Sequence, residues 1–389
     1  MCRMYSKRKG KVRLNYFRVG VTLLLLVILI FGISLIISSF NKKPASVAEI
    51  IVDSQESVVI SDSESSVIEQ IEESEPAVFY PVFTDKTVDF YLLNPEFGKE
   101  ENTEAASEIS ETAENSEIIE DNAEEVRKYN SLYAIVVDTE TNEIVAEHDY
   151  NVKMYPASLT KIMTLIVAAE NTDNLEETVL ITADMIDPLI AQEASVAGFA
   201  AGETPTVKDL IYGVVLPSGA DAAVAVARHV GGSEEAFVSM MNDKVKELGL
   251  KNTHFTNPVG LHDPENYSTA EDIAIILEYA LKNDFCREVL ETYEYKIAPT
   301  EYNPEGLTLT STMFSRMTGT EMPGVVVKGG KTGFTDESGQ CLASFAEING
   351  KIYVMVLADG WSKWETIYET LSGYSVFCYG GEPYVPPVT

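Results

Sequence analysis

Ser158 and Lys161, three residues apart in Tyr155-Pro156-Ala157-Ser158-Leu159-Thr160-Lys161-Ile162-Met163, are the side chains most plainly arranged for chemistry. The run enters an apolar stretch with a helical pattern. In the first turn of a helix, residues i and i+3 share a face, so the Lys161 ammonium reaches the Ser158 hydroxyl without help from the rest of the fold. A serine hydroxyl is a poor nucleophile at neutral pH and needs an adjacent base. A lysine shielded from water and placed near a second cation loses its proton readily enough to be that base. Alone, S-x-x-K also describes a helix-capping serine followed by a surface lysine, so the reading depends on what else the chain carries.

It carries two more such stretches. Lys328-Gly329-Gly330-Lys331-Thr332-Gly333-Phe334-Thr335 presents a cation and a hydroxyl on adjacent strand positions, and Gly333 leaves room for close backbone approach. It is not a phosphate-binding loop, because the G-x-x-x-x-G-K-[ST] spacing is absent and strand rather than helix follows. Between the two lies Leu216-Pro217-Ser218-Gly219-Ala220-Asp221, a serine at a break between two helical patterns. Taken alone, Ser218 would be an N-cap.

Together S-x-x-K, a serine-led middle element and K-T-G, in this order, mark penicillin-binding proteins and class A β-lactamases. From about Tyr129 to Tyr379 the chain resembles the D-alanyl-D-alanine carboxypeptidases of the low-molecular-weight penicillin-binding protein family. The likeness extends to Asn252-Thr253-His254-Phe255-Thr256-Asn257-Pro258, Gly260-Leu261-His262-Asp263, Tyr267-Ser268-Thr269-Ala270 and Lys331-Thr332-Gly333-Phe334-Thr335-Asp336. The resemblance implies that Ser158 attacks the bond between two D-alanines of a peptidoglycan stem peptide and forms an acyl-enzyme that water then releases. It implies Lys161 as the neutral base and Ser218 as the proton relay to the leaving amine. Lys331 would keep Lys161 neutral by repulsion and help bind the terminal carboxylate with Thr332, and the backbone N–H groups of Ser158 and Phe334 would hold the oxyanion. Penicillins and other β-lactams should acylate Ser158. No cofactor or metal is implied. His254, His262 and Asp263 fit no metal-ligand spacing and read as loop residues.

Three departures qualify the resemblance. The family usually has Asn where this chain has Ala220, which removes an amide expected to contact substrate and Lys161; Asp221 could compensate, or could retune the two lysines. After the last core strand, where many members place a carboxylate-binding arginine, Ala358-Asp359-Gly360-Trp361-Ser362-Lys363 offers only Lys363. The family commonly continues into a β-rich second domain and an amphipathic membrane helix, whereas the sequence ends at Thr389, and the expectation is that an N-terminal anchor takes over the tethering. The alternatives to a carboxypeptidase are a D,D-endopeptidase on the same motifs and a weakly active or inactive cell-wall-binding sensor. A class A β-lactamase is disfavoured by the lack of an evident glutamate-bearing deacylation loop.

The elements that must position these residues read as one α+β domain over 129–380, β-lactamase/transpeptidase-like, an antiparallel sheet with a helical lobe. Leu132–Val137 and Glu143–Glu147 form a hairpin. Helices are expected over Ser158–Glu170, Thr206–Leu216, Asp221–Val230, Glu234–Leu248 and Ala270–Lys282. Strands follow at Val325–Val327, Lys331–Thr335, Cys341–Glu347 and Ile352–Leu357, and a closing helix at Trp364–Phe377 precedes a tail over 381–389. Upstream, residues 1–18 are a basic cytoplasmic tail and 19–40 an uncharged apolar run long enough to span a bilayer as a signal anchor. A cleaved signal peptide is the alternative, disfavoured because its apolar core would be only about 7–15 residues. The domain should then sit on the extracytoplasmic side of the cell membrane. Residues 41–128 are an acidic, self-repelling tether expected to be disordered. One aromatic interruption, from Val78 to Leu93, reads either as a segment that docks on the domain or on a partner, or as a short sticky island. The formal net charge of −33 over 389 residues excludes a nucleic-acid partner that needs a basic surface. An odd count of exported cysteines (Cys286, Cys341, Cys378) argues against a disulfide framework.

Overall fold

The computed structural model describes residues 83–85, 88–90 and 131–386. The basic tail, the 19–40 anchor and most of the tether lie outside the described residues, within which no helix is long and apolar enough to cross a membrane.

The hairpin is β2 (Tyr133–Asp138) and β3 (Glu143–His148); the C-terminal strands are β6 (Val326–Thr335), β7 (Gly339–Ile348) and β8 (Lys351–Gly360). With β1 (Thr84–Asp85) they form one six-stranded sheet in the order β1-β3-β2-β8-β7-β6. All pairings are antiparallel except β1 on β3. β8 completes the sheet by pairing along the whole of β2, which joins the two ends of the domain. Side chains alternate along a strand, and both faces here are covered. Ile135, Val137, Val354 and Val356 point into the large core shared with the helices, while Ala134, Val136, Met355 and Leu357 join a second core on the opposite face.

The helical lobe is built around α1 (Thr160–Glu170), in which every residue from Thr160 to Ala168 is buried. A helix apolar on all sides must be surrounded. Against it pack α3 (Val207–Val215), α4 (Ala220–Gly231), α5 (Glu234–Glu247), α6 (Ala270–Ala280) and α7 (Asp284–Glu291), and α2 (Ala183–Ala191) packs on α4. A small hairpin, β4 (Glu294–Ile297) with β5 (Leu307–Thr310), leads into the short α8 (Thr312–Met317); neither these nor α2 and α7 were expected from the sequence pattern. α9 (Lys363–Gly373) continues into a π-type turn, Tyr374–Tyr379, and packs on the other face of the sheet.

Two expectations need correction. Ser158 lies not in the α-helix but in a 3-10 turn, Ala157–Leu159, that feeds it; i and i+3 still align in such a turn, so the Ser–Lys logic is unaffected. The expected strands at Val325–Val327 and Lys331–Thr335 are one continuous β6, with a bulge between Val327 and Gly329. The glycine is needed there because the Leu290 carbonyl at the end of α7 occupies the space a Cβ would take.

The described residues of the aromatic interruption, 83–85 and 88–90, lie against the domain itself. Thr84 and Asp85 pair in parallel with Glu143 and Ile144, Glu147 donates its N–H to the Val88 carbonyl at 3.1 Å, and Phe90 is 1% exposed. The Phe90 ring lies 5.5 Å from that of Phe377 in the core on the α9 face of the sheet. Large-to-small substitution at such a site removes transfer energy and leaves a cavity. Phe90→Ala should therefore lower unfolding stability by about 3 kcal/mol in urea titrations, with an unchanged m value.

Candidate active site

The nucleophile candidate is held by backbone crowding. Ala157 adopts a left-handed conformation (φ 45°), which turns Ser158 into the cleft. Two glycines make this possible. A Cβ on Gly260 would collide with the Ala157 carbonyl, and one on Gly333 would come within 3.1 Å of the Ser158 nitrogen and 3.2 Å of Ala157 Cβ. β6 thus presses its backbone directly against the Ser158 turn.

Lys161 is 2% exposed, and its Nζ lies 3.0 Å from Ser158 Oγ and donates at 2.6 Å to the Val259 carbonyl. Burial depresses its pKa to about 7, against the opposing attraction of the Asp221 carboxylate. The Val259 carbonyl is itself fixed by Asn257, whose Oδ1 accepts from the N–H groups of Val259, Gly260 and Leu261 at 3.2, 2.7 and 3.1 Å. That acceptor is the first functional group the sequence pattern did not reveal, although Asn257-Pro258 and Gly260-Leu261 were noted within the family resemblance.

Across the cleft, Ser218 sits at φ 64°, another strained non-glycine position, at the head of α4. Lys331 Nζ donates to Ser218 Oγ at 2.8 Å and to the Thr332 carbonyl at 2.7 Å. Lys331 is 1% exposed, and its pKa is held well below the usual lysine range, first by burial and then by the charges of Lys161 and Arg316. Burial, rather than repulsion from Lys331, is the leading cause of the Lys161 shift.

One open cleft of about 700 Å³ collects these groups. Ser158, Lys161, Ser218, Thr332, Gly333 and Phe334 all line it, and Lys331 lies just behind Ser218. His254 turns elsewhere, its Nδ1 2.6 Å from the Glu265 carbonyl oxygen, while His262 stays on the cleft wall with its ring edge-on to Tyr155. Among the described residues no three potential metal ligands converge.

Ala220 and Asp221 have separate fates. Ala220 lines the cleft. Asp221 is buried and turned away, its carboxylate accepting from the N–H groups of Ala197, Gly198 and Phe199 at 2.7, 3.0 and 3.2 Å. It does not replace the missing amide; it fastens the loop whose Ser195 carbonyl accepts from Ala220 N at 2.7 Å. Ala220 offers Lys161 no amide, and the oxygen that Lys161 Nζ meets besides Ser158 Oγ is the Val259 carbonyl.

Arg316 is the second group that pattern reading missed. Thr312 and Arg316 sit one turn apart on α8 and both line the cleft, and Thr312 Oγ1 is 2.7 Å from Thr332 Oγ1. α8 is held there by its first N–H, which donates to the Leu216 carbonyl at 2.9 Å. Lys363, the cation expected from the sequence, does not line the cleft; its Nζ lies 5.4 Å from the Trp364 ring centroid. No local motif marked Arg316, because the short α8 is placed by tertiary contacts.

The Asp221 charge raises the Lys161 pKa, so its removal must lower it further. Asp221→Asn should move the acid limb of the pH profile for acylation by a fluorescent penicillin to lower pH. An unmoved or raised limb would show that the limb does not report Lys161.

The model of the D-alanyl-D-alanine carboxypeptidase family, peptidase family S11, matches residues 120–360. D-alanyl-D-alanine carboxypeptidase DacF of Bacillus subtilis is 36% identical over 220 residues, covering 55% of this chain and 53% of that protein. DacB2 of Mycobacterium tuberculosis is 32% identical over 228 residues, covering 58% and 74%. The chain spans about half the length of DacF and of the Haemophilus influenzae DacA it also matches. Among solved structures, the Streptomyces K15 DD-transpeptidase is 29% identical, with a TM-score of 0.56 over 62% of this chain and 93% of that one. A D-alanyl-D-alanine carboxypeptidase from M. tuberculosis H37Rv is 25% identical, with a TM-score of 0.56 over 67% and 95%. The ordered Ser158, Ser218 and Lys331 stretches, folded into one cleft and matched over most of the described domain, place the chain in the D-alanyl-D-alanine carboxypeptidase family.

Proposed function

We propose that this protein is a serine D,D-carboxypeptidase that removes the terminal D-alanine from peptidoglycan stem peptides. The observation that carries the reading is Lys161 Nζ at 3.0 Å from Ser158 Oγ, buried and titrating at about 7. A base poised near the working pH maximises proton transfer from the nucleophile.

The neutral Lys161 amine takes the Ser158 proton as Oγ bonds to the penultimate carbonyl carbon. The backbone N–H groups of Ser158 and Phe334 receive the developing oxyanion. The close approach of Gly333 to the Ser158 nitrogen supports pairing these two donors. Because Lys331 donates to Ser218 Oγ, the Ser218 hydroxyl proton is free to go to the departing amine as the C–N bond breaks, while Lys161 passes the proton it took to Ser218 Oγ and is neutral again. Water, activated by Lys161, then hydrolyses the ester. Thr332 and Arg316 bind the terminal carboxylate, with the planar guanidinium supplying the bidentate partner that Lys363 was expected to replace. β-Lactams enter the same path as covalent inhibitors of Ser158. The uncharged 19–40 run supports a single-pass anchor that holds the domain outside the cell membrane.

The test is D-alanine release from a D-Ala-D-Ala-terminated peptide alongside labelling by a fluorescent penicillin. Wild type should do both and Ser158→Ala neither; labelling without release would sink the carboxypeptidase assignment in favour of an endopeptidase or sensor. Arg316→Leu should lower kcat/KM on the free-carboxylate peptide by about 30-fold or more, from the loss of a charge partner. The same variant should act on the C-terminally amidated peptide within about threefold of wild type.

A further inference from the structure

We propose that Trp361 and Trp364 form a docking surface outside the cleft for the sugar strand that carries the stem peptide. The identity of this occupant rests on the carboxypeptidase reading.

The two are the chain's only tryptophans, and they stand 53% and 45% exposed. An indole is usually well buried, so two left open within four residues mark a contact surface. The backbone holds them out. From Leu342–Leu357 to Gln340–Gly360, β8 carries one residue more than β7, and Asp359 in this bulge takes a left-handed φ of 53°. Bulges re-aim the side chains beside them, and strain of this kind persists only where the surrounding structure enforces it. Gly339 makes room for the bend, because a Cβ there would come within 2.9 Å of Asp359 Cα. Ser362 then caps α9, its Oγ accepting from the Glu365 N–H at 3.1 Å, which fixes Trp364 on the first turn.

The surface is continuous with the cleft. Phe334, half-exposed on the cleft wall, pairs with Gln340, and Gln340 pairs with Gly360. Directly opposed residues share a face, and two strand spacings put Gly360 about 10 Å from Phe334. Leu342, two residues along β7 and so on that face, lies in one core with Ile367 and Leu371 of α9. Phe334, Gln340 and the start of α9 therefore stand together at one end of the sheet.

The chemistry of this row suits a saccharide. Neither indole N–H has an acceptor among the described residues, and Lys363, 5.4 Å from the Trp364 ring centroid, pairs there with no carboxylate. Gln340 Oε1 is buried without a donor. Sugar rings present apolar C–H faces to an aromatic plane, and their hydroxyls and N-acetyl amides supply partners for such groups. A hydrocarbon layer would leave the same groups unpaired.

With no other tryptophan in the chain, intrinsic fluorescence of the full-length protein reports this surface alone. N-acetylglucosamine tetrasaccharide should change the emission saturably, and equally when penicillin already occupies the cleft. A pentapeptide on its disaccharide should surpass the free pentapeptide in kcat/KM by about five- to tenfold, the scale of two exposed aromatic contacts. In Trp361→Ala/Trp364→Ala that ratio should fall below about two, with penicillin labelling and free-peptide turnover within about twofold of wild type. A ratio near one in wild type, or one that survives in the double variant, would overturn the proposal. So would emission quenched by brominated lipid in vesicles but unmoved by the sugar, which would make the surface a membrane contact. If neither peptide releases D-alanine, the carboxypeptidase reading fails by itself. The titration then decides the surface: a saturable response to the tetrasaccharide supports it, and no response refutes it.

Discussion

The site depends on one costly act, the burial of a lysine amine in a helix that is apolar on every side. Water would hold Lys161 charged; the packing of α1 removes the water, and the fold compensates with two oxygen partners, Ser158 Oγ and the Val259 carbonyl. The rest of the cleft can be derived from that requirement. Asn257 must immobilise the loop bearing Val259, Gly260 must clear the Ala157 carbonyl, and Gly333 must let β6 close on the turn. Lys331 repeats the device across the cleft with Ser218 and the Thr332 carbonyl, and the Lys161 charge adds to the burial that holds its pKa low.

Much of this was legible in the sequence because it is local. A Ser–Lys pair at i, i+3, a serine at a helix break, and a lysine–threonine–glycine run on a strand each declare their geometry through short-range spacing. The hairpin at β2–β3 and the β7–β8 turn were readable for the same reason. Val259 was not, because a backbone carbonyl leaves no trace in residue type. Arg316 was not, because α8 is too short to show periodicity and is placed by a bond to Leu216. Of the two roles open to Asp221, replacing the amide or retuning the lysines, three converging N–H groups on the 197–199 loop exclude the first by holding it facing away. Its charge still raises the Lys161 pKa.

Ala220 shows how a lost side chain can be absorbed. The resemblance led to the expectation of an amide against Lys161; the partner the structure provides is the Val259 main-chain oxygen. What remains at Ala220 is a methyl group on the cleft wall.

The docking of β1 and Phe90 bears on a different kind of load. The sheet order places β1 at one border and β6, with the catalytic turn, at the other. Traction on the N-terminal chain meets the two-residue β1 pairing and the Phe90 plug before it reaches β2. These short contacts would yield first, as a mechanical fuse, and their loss would leave the far border of the sheet, and the spacing of Ser158 from β6, undisturbed.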